Sequence, residues 1–414
     1  MQDMNVVREQ ILQWIDQDEE KIVNFFSGLV RCKSPNPPGD TREAMQYMQR
    51  FLAAESLTFE EVNARDDWPN LISTVTMPVP GRHLMFNGHL DVFPAVNQPG
   101  WVDDPWSGKI ENGRVWGRGT GDMKAGLTAS TFAYVYLSRL REHLKGTMSL
   151  TVVSDEESGG RFGVGHMFEQ IEERMLADCV ISGESTTPRA VAFGGKGMVQ
   201  FTVNVWTPGA HASAPFRSAN AIHIAMEIAR EFDVLKDIKA QTPPALAERL
   251  QDEGVRRHLG DYVDYMTQTT LNIGTIEGGS KVNVIPSNCR FEFEARIPIG
   301  LDPEEIVSKG REIVARYPEA SIDDVRVMAP DYCDPFGELA TIIQDTVESL
   351  GLQRPVMVPV SALSDCKYWR DRGIPAYWYG PSPVAGTPNE SVAIEELLVL
   401  VKTHAIAAAK YLSS

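Results

Sequence analysis

The chain has 414 residues, 43% of them hydrophobic, and its formal net charge at pH 7 is −17. This length exceeds the size at which one hydrophobic core stops growing, so two domains are expected. Binding to nucleic acid or to an anionic membrane needs a basic face, which so acidic a chain does not predict. A small molecule or another protein is therefore the expected partner.

The N-terminal residues and the cysteines indicate the compartment. The first 26 residues show no basic-then-apolar signal pattern, and no uninterrupted apolar run of about 18 residues occurs. The five cysteines are scattered and lack CxxC spacing, which is typical of reduced thiols. The sequence predicts a cytoplasmic protein.

The first predicted elements are helices, over residues 5–30 and 41–55, where apolar residues recur at helical spacing. Short apolar runs (LISTVTM, HLMFNGHL, TMSLTVVS, DCVISGE) then alternate with helical stretches such as GLTASTFAYVYLSRL. This alternation is typical of an α/β domain with a mostly parallel, buried sheet. Ligands of such domains bind at the carboxyl ends of the strands.

The segment 194–305 has a different pattern. MVQFTVNVWT and CRFEFEARI alternate apolar and polar residues with a period of two, which favours a sheet with one open face. Helix and strand patterns resume after Pro303. We therefore predict one domain made of residues 1–193 and 306–414, with a smaller α+β domain inserted at 194–305.

Four predicted strand ends of the first domain carry side chains that can bind a metal ion. They are His89 and Asp91 in FNGHLDV, Asp122 in GRGTGDMKAG, Glu156 and Glu157 in VVSDEESGG, and Glu184 in VISGEST.

Each motif alone has an ordinary explanation. HxD is commonly a surface pair, and DEE is commonly a solvated turn. The glycine-rich loop resembles a phosphate cradle but lacks the GK[ST] ending. Together, however, these carboxylates would repel one another unless a cation compensated them, so a divalent metal ion is predicted. Asp91 is expected to accept a hydrogen bond from the imidazole of His89 and so to fix its tautomer.

In this order and spacing, GHLDV, GRGTGDMKAG, DEESGG and GEST resemble the metallo-aminoacylase and carboxypeptidase family. That family includes acetylornithine deacetylase, succinyl-diaminopimelate desuccinylase and the glutamate-releasing carboxypeptidase. The resemblance spans essentially the whole chain. It implies a zinc-peptidase fold in which the inserted domain serves as a dimerisation or lid domain, and hence a homodimer.

The resemblance also implies roles for the candidate residues. His89 and Glu184 would bind one metal ion, and Asp122 would bridge to a second ion held by Glu157. Glu156 would be the general base for a metal-bound water, and its side chain would diverge from that of Glu157 as neighbours on an extended chain do. A cis peptide bond after Asp122 is implied as well. Carboxylate and imidazole ligands suit zinc, cobalt or manganese.

Three residues of the inserted segment are candidates for contacts with the substrate. Without the family, His211 is a loop histidine, and Arg296 is an ordinary strand charge. The resemblance implies that His211 reaches the active site of the partner subunit and stabilises an oxyanion. It also implies that Arg296 and Asn283 bind a substrate carboxylate.

The chain departs from the family in its last loop. Members usually carry an Ala-His dipeptide there, but this chain has AGTPNE, and the histidine position aligns with Gly386. None of the eight histidines lies between residues 350 and 400. We therefore expect one tight metal site, held by His89, Asp122 and Glu184, and a second site that is weak or filled only at high metal concentration.

The sequence leaves three functions open. The first is a metal-dependent hydrolase that cleaves an amide or related C–N bond in a small carboxylate-bearing substrate. The second is hydrolytic deamination of an aminoaromatic acid, similar to nitroanthranilate aminohydrolase, for which AYWYGP would line the ring pocket unless its aromatics belong to the core. The third is a metal-binding or assembly protein without catalytic activity.

Overall fold

The computed structural model describes residues 4–95, 99–382 and 386–413. In chain order the helices are α1 Met4–Gln17, α2 Glu19–Arg31, α3 Arg42–Ala54, α4 Ala125–Arg139, α5 His166–Met175, α6 Ala221–Glu231, α7 Pro244–Gln251, α8 Glu253–Leu259, α9 Tyr262–Tyr265, α10 Pro303–Val314, α11 Glu338–Ser349, α12 Cys366–Arg370 and α13 Ile394–Tyr411.

The strands, also in chain order, are β1 Glu60–Glu61, β2 Leu71–Thr76, β3 Val79–His89, β4 Lys109–Glu111, β5 Arg114–Trp116, β6 Lys145–Val153, β7 Cys179–Ser182, β8 Ala190–Gly195, β9 Gly197–Trp206, β10 Ala210–His211, β11 Thr270–Gly278, β12 Val284–Ile285, β13 Asn288–Ile297, β14 Ala320–Met328, β15 Asp331–Tyr332, β16 Val356–Val360, β17 Ala376–Trp378 and β18 Ser391–Ala393.

The chain divides into two compact units. The first comprises Met1–Phe193, Cys333–Val358 and Ser364–Ser414, and the second comprises Gly194–Tyr332 and Pro359–Leu363. The second unit extends beyond residue 305, the predicted end of the inserted segment. It does so because β14 pairs with β9 and because Ile306 and Ile313 of α10 lie in the same apolar core.

The first unit is built on a mixed sheet in the order β1-β2-β6-β3-β7-β17-β8. Its central strands β6, β3, β7 and β17 are parallel, whereas β1, β2 and β8 pair antiparallel. Helix α4, buried from Ala125 to Leu137, packs on β3 and β6 and is covered by α13. The predicted α/β fold is confirmed, and the carboxyl ends of the parallel strands share one edge.

The predicted helix over residues 5–30 is two helices, α1 and α2. They are separated at Asp18, which has φ −95° and ψ 9°. Hydrogen bonds from Asp18 N to Trp14 O and from Ile22 N to Asp18 O, both 2.8 Å long, continue the helical pattern across the break. Because the interruption is one residue long, the apolar spacing carries no sign of it.

The second unit contains an antiparallel sheet in the order β11-β13-β9-β14. Along β13, Phe291, Phe293 and Ala295 are buried on one face, and the alternate residues occupy the other face. Helices α6 and α10 pack against β9, and their apolar residues join the buried face in one core. The period of two in the sequence thus reflects a sheet covered on one side. Among the described residues, no helix combines the length and apolarity needed to cross a bilayer.

Candidate metal centre

The candidate centre lies where the parallel strands of the first unit end. Strand β3 ends at His89, which is in register with Val153, the last residue of β6. The turn that carries Glu156 follows β6, and Glu184 lies two residues beyond the end of β7. The topology therefore gathers residues from distant parts of the sequence at one edge, as the sequence predicts.

His89 is completely buried and has a defined tautomer. Its Nδ1 lies 2.8 Å from the main-chain oxygen of Asp91. Because a carbonyl oxygen only accepts, Nδ1 carries a proton and, in the neutral ring, Nε2 presents its lone pair. Nε2 has no hydrogen-bond partner among the described residues. A buried ring nitrogen is normally satisfied whether it donates or accepts, so the missing partner points to a ligand.

Carboxylate oxygens face this nitrogen. Nε2 of His89 lies 3.3 Å from Asp122 Oδ1 and 3.5 Å from Glu184 Oε1. One ligand atom from each of these three residues lies within 4.8 Å of the other two. Nitrogen and carboxylate oxygen donors in this number suit zinc, cobalt or manganese. The donor set and the unpartnered Nε2 together fit a divalent cation.

The charges at the centre lead to the same conclusion. Burial alone lowers the pKa of His89, but the carboxylates of Glu184 and Asp122 outweigh burial, and the net pKa is raised well above its ordinary value. Burial and the nearby Glu184 raise the pKa of Glu156 well above its usual range. Burial and Asp122 raise the pKa of Glu157 to about 9. The raised pKa values of Glu156 and Glu157 reflect burial together with repulsion between carboxylates, and a bound cation would relieve that repulsion.

Asp122 lies in a short turn, Thr120–Lys124, that leads into α4, and its own backbone there is extended, with φ −131° and ψ 100°. The turn is preceded by Gly119, whose φ of 82° is a left-handed conformation that glycine adopts without strain. The peptide bond between Asp122 and Met123 is cis, as the resemblance implies. The glycines of GRGTGDMKAG therefore shape the backbone that presents a carboxylate.

Asp91 fixes the tautomer of His89, but through its main-chain oxygen rather than its carboxylate, which lies 3.5 Å from Nδ1. The carboxylate instead accepts hydrogen bonds from the backbone nitrogens of Glu156, at 3.2 Å, and Glu157, at 3.1 Å. It also accepts a bond of 2.9 Å from Nδ2 of Asn36. Asp91 thus contacts both the imidazole of His89 and the acidic turn. The sequence does not predict the contact with Asn36, because 55 residues separate Asn36 from Asp91.

Glu156 and Glu157 lie in a 3₁₀ turn, Glu156–Ser158, and not on the extended chain expected from the sequence. With three residues per turn, their side chains diverge by about 120° rather than pointing to opposite sides. Oε2 of Glu156 lies 3.9 Å from Nε2 of His89. Oε1 of Glu157 is buried without a hydrogen-bond partner among the described residues.

Asp365 is a further buried carboxylate near the centre, for which the sequence predicts no role. It is 1% exposed, and neither of its oxygens has a hydrogen-bond partner within the described ranges. Burial raises its pKa to about 7, although Lys367 opposes the shift. No motif described above includes this residue.

The last loop contributes no imidazole at Gly386. This glycine has φ 75°, and a Cβ built on it would meet no described atom within 4 Å. The neighbouring residues 383–385 lie outside the described ranges. Within the described part of the chain, the grouped ligands are therefore His89, Asp122 and Glu184.

The three substrate-contact candidates lie in the second unit. His211 pairs with Val284 between β10 and β12, and its exposed Nδ1 lies 2.7 Å from Ser213 Oγ. The main-chain oxygen of Asn283 accepts a bond of 3.0 Å from Ala212 N, so Asn283 adjoins the His211 segment.

Arg296 lies on the uncovered face of β13. Its Nε donates to Oε1 of Glu294 at 2.7 Å. Of the three candidates, the structure therefore brings His211 and Asn283 together and places Arg296 on another strand.

The aromatic residues of AYWYGP belong to the core of the first unit. Tyr377 and Tyr379 are completely buried, and Trp378 is 3% exposed. The hydroxyl of Tyr377 donates to the main-chain oxygen of Asp334, and that of Tyr379 to Pro188. The structure thus favours the core interpretation of these rings over a ring-binding pocket.

Comparisons with known proteins agree with this arrangement. The family model described as "Peptidase family M20/M25/M40" matches residues 85–410. Succinyl-diaminopimelate desuccinylase 2 of Ruegeria sp. (strain TM1040) is 27% identical over 361 residues, which cover 84% of this chain and 84% of that protein.

Two solved structures share the fold. The M20 family metallo-carboxypeptidase Sso-CP2 from Sulfolobus solfataricus superimposes with a TM-score of 0.81 at 18% identity, over 94% of this chain and 99% of that chain. The Bacillus subtilis YXEP protein, described as a dinuclear metal binding peptidase from the M20 family, gives a TM-score of 0.67 at 15% identity, over 96% and 99%.

Proposed function

The chain belongs to peptidase family M20/M25/M40 and is a metal-dependent hydrolase, and on this premise we propose that it cleaves an amide bond in a small carboxylate-bearing substrate at the His89 centre. The observation that carries the proposal is the buried Nε2 of His89, which has no hydrogen-bond partner in the described part of the chain and faces the carboxylates of Asp122 and Glu184. The similarity to desuccinylases supports this substrate class.

We propose Zn, Mn or Co as the metal, bound by His89, Asp122 and Glu184. When bound there, a divalent ion polarises a carbonyl group and lowers the pKa of a coordinated water. The main-chain oxygen of Asp91 accepts a hydrogen bond from Nδ1 of His89 and so would keep the lone pair of Nε2 directed at the ion. A hydrogen bond to the ring nitrogen that does not bind the metal fixes the orientation of the ring and makes the other nitrogen a more basic ligand.

We propose Glu156 as the general base. Its carboxylate borders the three ligands, with Oε2 3.9 Å from Nε2 of His89. A carboxylate in this position can take a proton from a water and later deliver it to the leaving amine. The bonds from the backbone of Glu156 and Glu157 to Asp91 hold the acidic turn at this distance.

We propose a single tight metal ion per chain. Glu157 and Asp122 would contribute to a second site, but Gly386 supplies no imidazole to it. The proposal predicts close to one metal ion per chain after dialysis, measured by elemental analysis. Two tightly held ions per chain would contradict it, and would show that residues other than Gly386 complete the second site.

We propose that substrate recognition uses the second unit in a homodimer. Arg296 offers a guanidinium for a substrate carboxylate, and its present partner, Glu294, would give way to that group. Asn283 would support the same carboxylate, and His211 of one subunit would stabilise the oxyanion in the site of the other. We keep a cytoplasmic location as a prediction, and the five free cysteines are consistent with it.

The test is a substrate screen with zinc, manganese and cobalt supplied separately. N-acyl amino acids, dipeptides and aminoaromatic acids are offered, and release of the free amine or of ammonia is measured. We expect turnover of carboxylate-bearing amides and none in the Asp122→Asn variant. Ammonia release from aminoaromatic acids alone would favour the deaminase, and the absence of any turnover would favour a binding protein.

A further inference from the structure

The last loop ends in a carboxylate that is buried against the backbone next to Asp122. Glu390 is 1% exposed, and it lies with the Asp122 turn in the first unit. Resting on the proposed metal site, we infer that Glu390 is a positioning residue that holds the Asp122 turn in the geometry needed to bind metal.

Both carboxylate oxygens of Glu390 contact the backbone in this turn or immediately before it. Oε1 accepts a hydrogen bond of 2.7 Å from the backbone nitrogen of Gly121. Oε2 accepts a bond of 3.2 Å from the backbone nitrogen of Gly119. The main-chain oxygen of Glu390 also accepts a bond of 2.9 Å from the nitrogen of Gly117. One residue therefore fixes three alternate backbone positions immediately before Asp122.

The glycines explain why the turn needs such an anchor. Gly117 and Gly119 have φ of 149° and 82°, conformations that glycine reaches easily and that it also leaves easily. Gly121 adjoins Asp122 in the chain, so its bond to Glu390 restrains the backbone that sets the direction of the ligand.

Arg118 completes the anchor. Its guanidinium is 1% exposed and donates to Oε2 of Glu390 at 2.7 Å. Hydrogen bonds between charged groups are shorter and stronger than neutral ones. The pair keeps Glu390 in place to receive the bonds from Gly119 and Gly121.

Asn389, the neighbour of Glu390, attaches the last loop to a different part of the first unit. A variant of Asn389 can therefore distinguish positioning of Asp122 from general attachment of the loop. Oδ1 of Asn389 accepts a bond of 2.9 Å from Val102 N, and its Nδ2 donates to Gly100 O at 2.8 Å. Neither contact involves the residues around Asp122. Loss of Asn389 should therefore loosen the loop without altering the ligand.

The experiment measures Co²⁺ binding to the purified full chain by calorimetry and by visible absorption, which reports the coordination geometry. Glu390→Gln should weaken Co²⁺ binding about tenfold or more and alter the absorption bands, since losing partners that orient a ligand typically costs 10–100-fold in affinity. Glu55→Gln is the matched control, because Glu55 is likewise a carboxylate bonded to a cation, Arg139, but outside this turn. It should bind Co²⁺ as the native protein does.

Native affinity and native absorption in Glu390→Gln would overturn the inference, as would an equal loss in Asn389→Ala. If Glu390→Gln does not fold, Glu390→Asp takes its place, because the shorter carboxylate keeps its charge but cannot reach Gly121 and Arg118 together. The same loss is expected, and native affinity again overturns the inference.

Asp122→Asn distinguishes this inference from the proposed function. If Asp122→Asn binds Co²⁺ normally, the proposed metal site itself is wrong. If Asp122→Asn loses the ion while the Glu390 variant keeps it, only the positioning role is wrong.

Discussion

Two histidines of the first unit, His89 and His404, are both completely buried, and both donate one ring N–H to a main-chain oxygen. They differ in the other nitrogen. Nδ1 of His404 lies 3.1 Å from the hydroxyl of Ser130, which satisfies it, whereas Nε2 of His89 faces carboxylates and has no hydrogen-bond partner among the residues that the structure describes.

As a result, the pKa values of the two histidines shift in opposite directions. Burial lowers the pKa of His404 to about 4. At His89 burial acts in the same direction, but Glu184 and Asp122 overcome it and raise the pKa. Burial therefore does not distinguish a core histidine from a ligand, whereas the groups around its free nitrogen do. The following predictions test this difference, from the largest expected effect to the smallest.

The comparison predicts first that only one of the two histidines is needed for metal binding. His89→Asn should lose the tight metal ion and lower kcat/KM by about 10³-fold or more, because the ion contributes several kcal/mol to the transition state. His404→Gln should keep native metal content. Elemental analysis and steady-state kinetics of both variants decide the matter, and tight metal retained in His89→Asn would break the comparison.

A variant of Glu156 tests whether this carboxylate near His89 binds the metal ion or acts as the general base. Glu156→Gln should retain the metal ion, because this residue is not among the three grouped ligands, while kcat falls about 10²–10⁴-fold with the loss of the base. Metal content and kcat are measured on the same preparation. Unchanged kcat would remove Glu156 from the role of base.

His211 extends the comparison to an exposed histidine in the second unit. His211→Ala should lower kcat about 10²–10³-fold, as loss of an oxyanion donor does, without changing the melting temperature. Mixed dimers of His211→Ala with Glu156→Gln should recover part of the activity if the site is shared between subunits. No recovery in demonstrated mixed dimers would argue against sharing.

The smallest effect is the pH dependence of stability that His404 introduces. Its folded pKa, about 4, lies below the ordinary value of 6.5, so the unfolded chain takes up the proton first. The free energy of unfolding should therefore fall as the pH drops from 6.5 towards 4, by about 1.4 kcal/mol per pH unit from this group. Denaturant titrations of the native protein and His404→Gln should show a shallower slope in the variant, and equal slopes would contradict the assignment.

The sequence predicts most of the first unit because its strands are short buried runs between helices, and this pattern depends on local burial alone. Because the pattern reports only local burial, it also fails to predict two features of the fold. The break at Asp18 leaves the apolar spacing unchanged, and α10 and β14 join the second unit through the pairing of β14 with β9, which no local pattern reveals.

The candidate site shows the same limit. His89, Asp122 and Glu184 each lie in a recognisable motif, and the structure brings them together. The contacts of Glu390 with Gly119 and Gly121 and the burial of Asp365 depend on residues distant in the chain, which no local spacing reveals. The prediction that Glu156 and Glu157 lie on an extended chain is wrong, because they lie in a 3₁₀ turn. Neighbouring side chains diverge in both conformations, so the motif alone does not distinguish them.

Asp91 accepts a hydrogen bond from the imidazole of His89 on its main-chain oxygen and one from the backbone of Glu156 on its carboxylate. Residues linked through a shared partner do not respond independently to mutation, so substitutions at His89 and Glu156 should show thermodynamic coupling in a double-mutant cycle. In Asp91→Asn, the main-chain oxygen would still hold the ring, while the bonds to the turn would weaken. We therefore expect Asp91 to couple two parts of the centre that different strands supply.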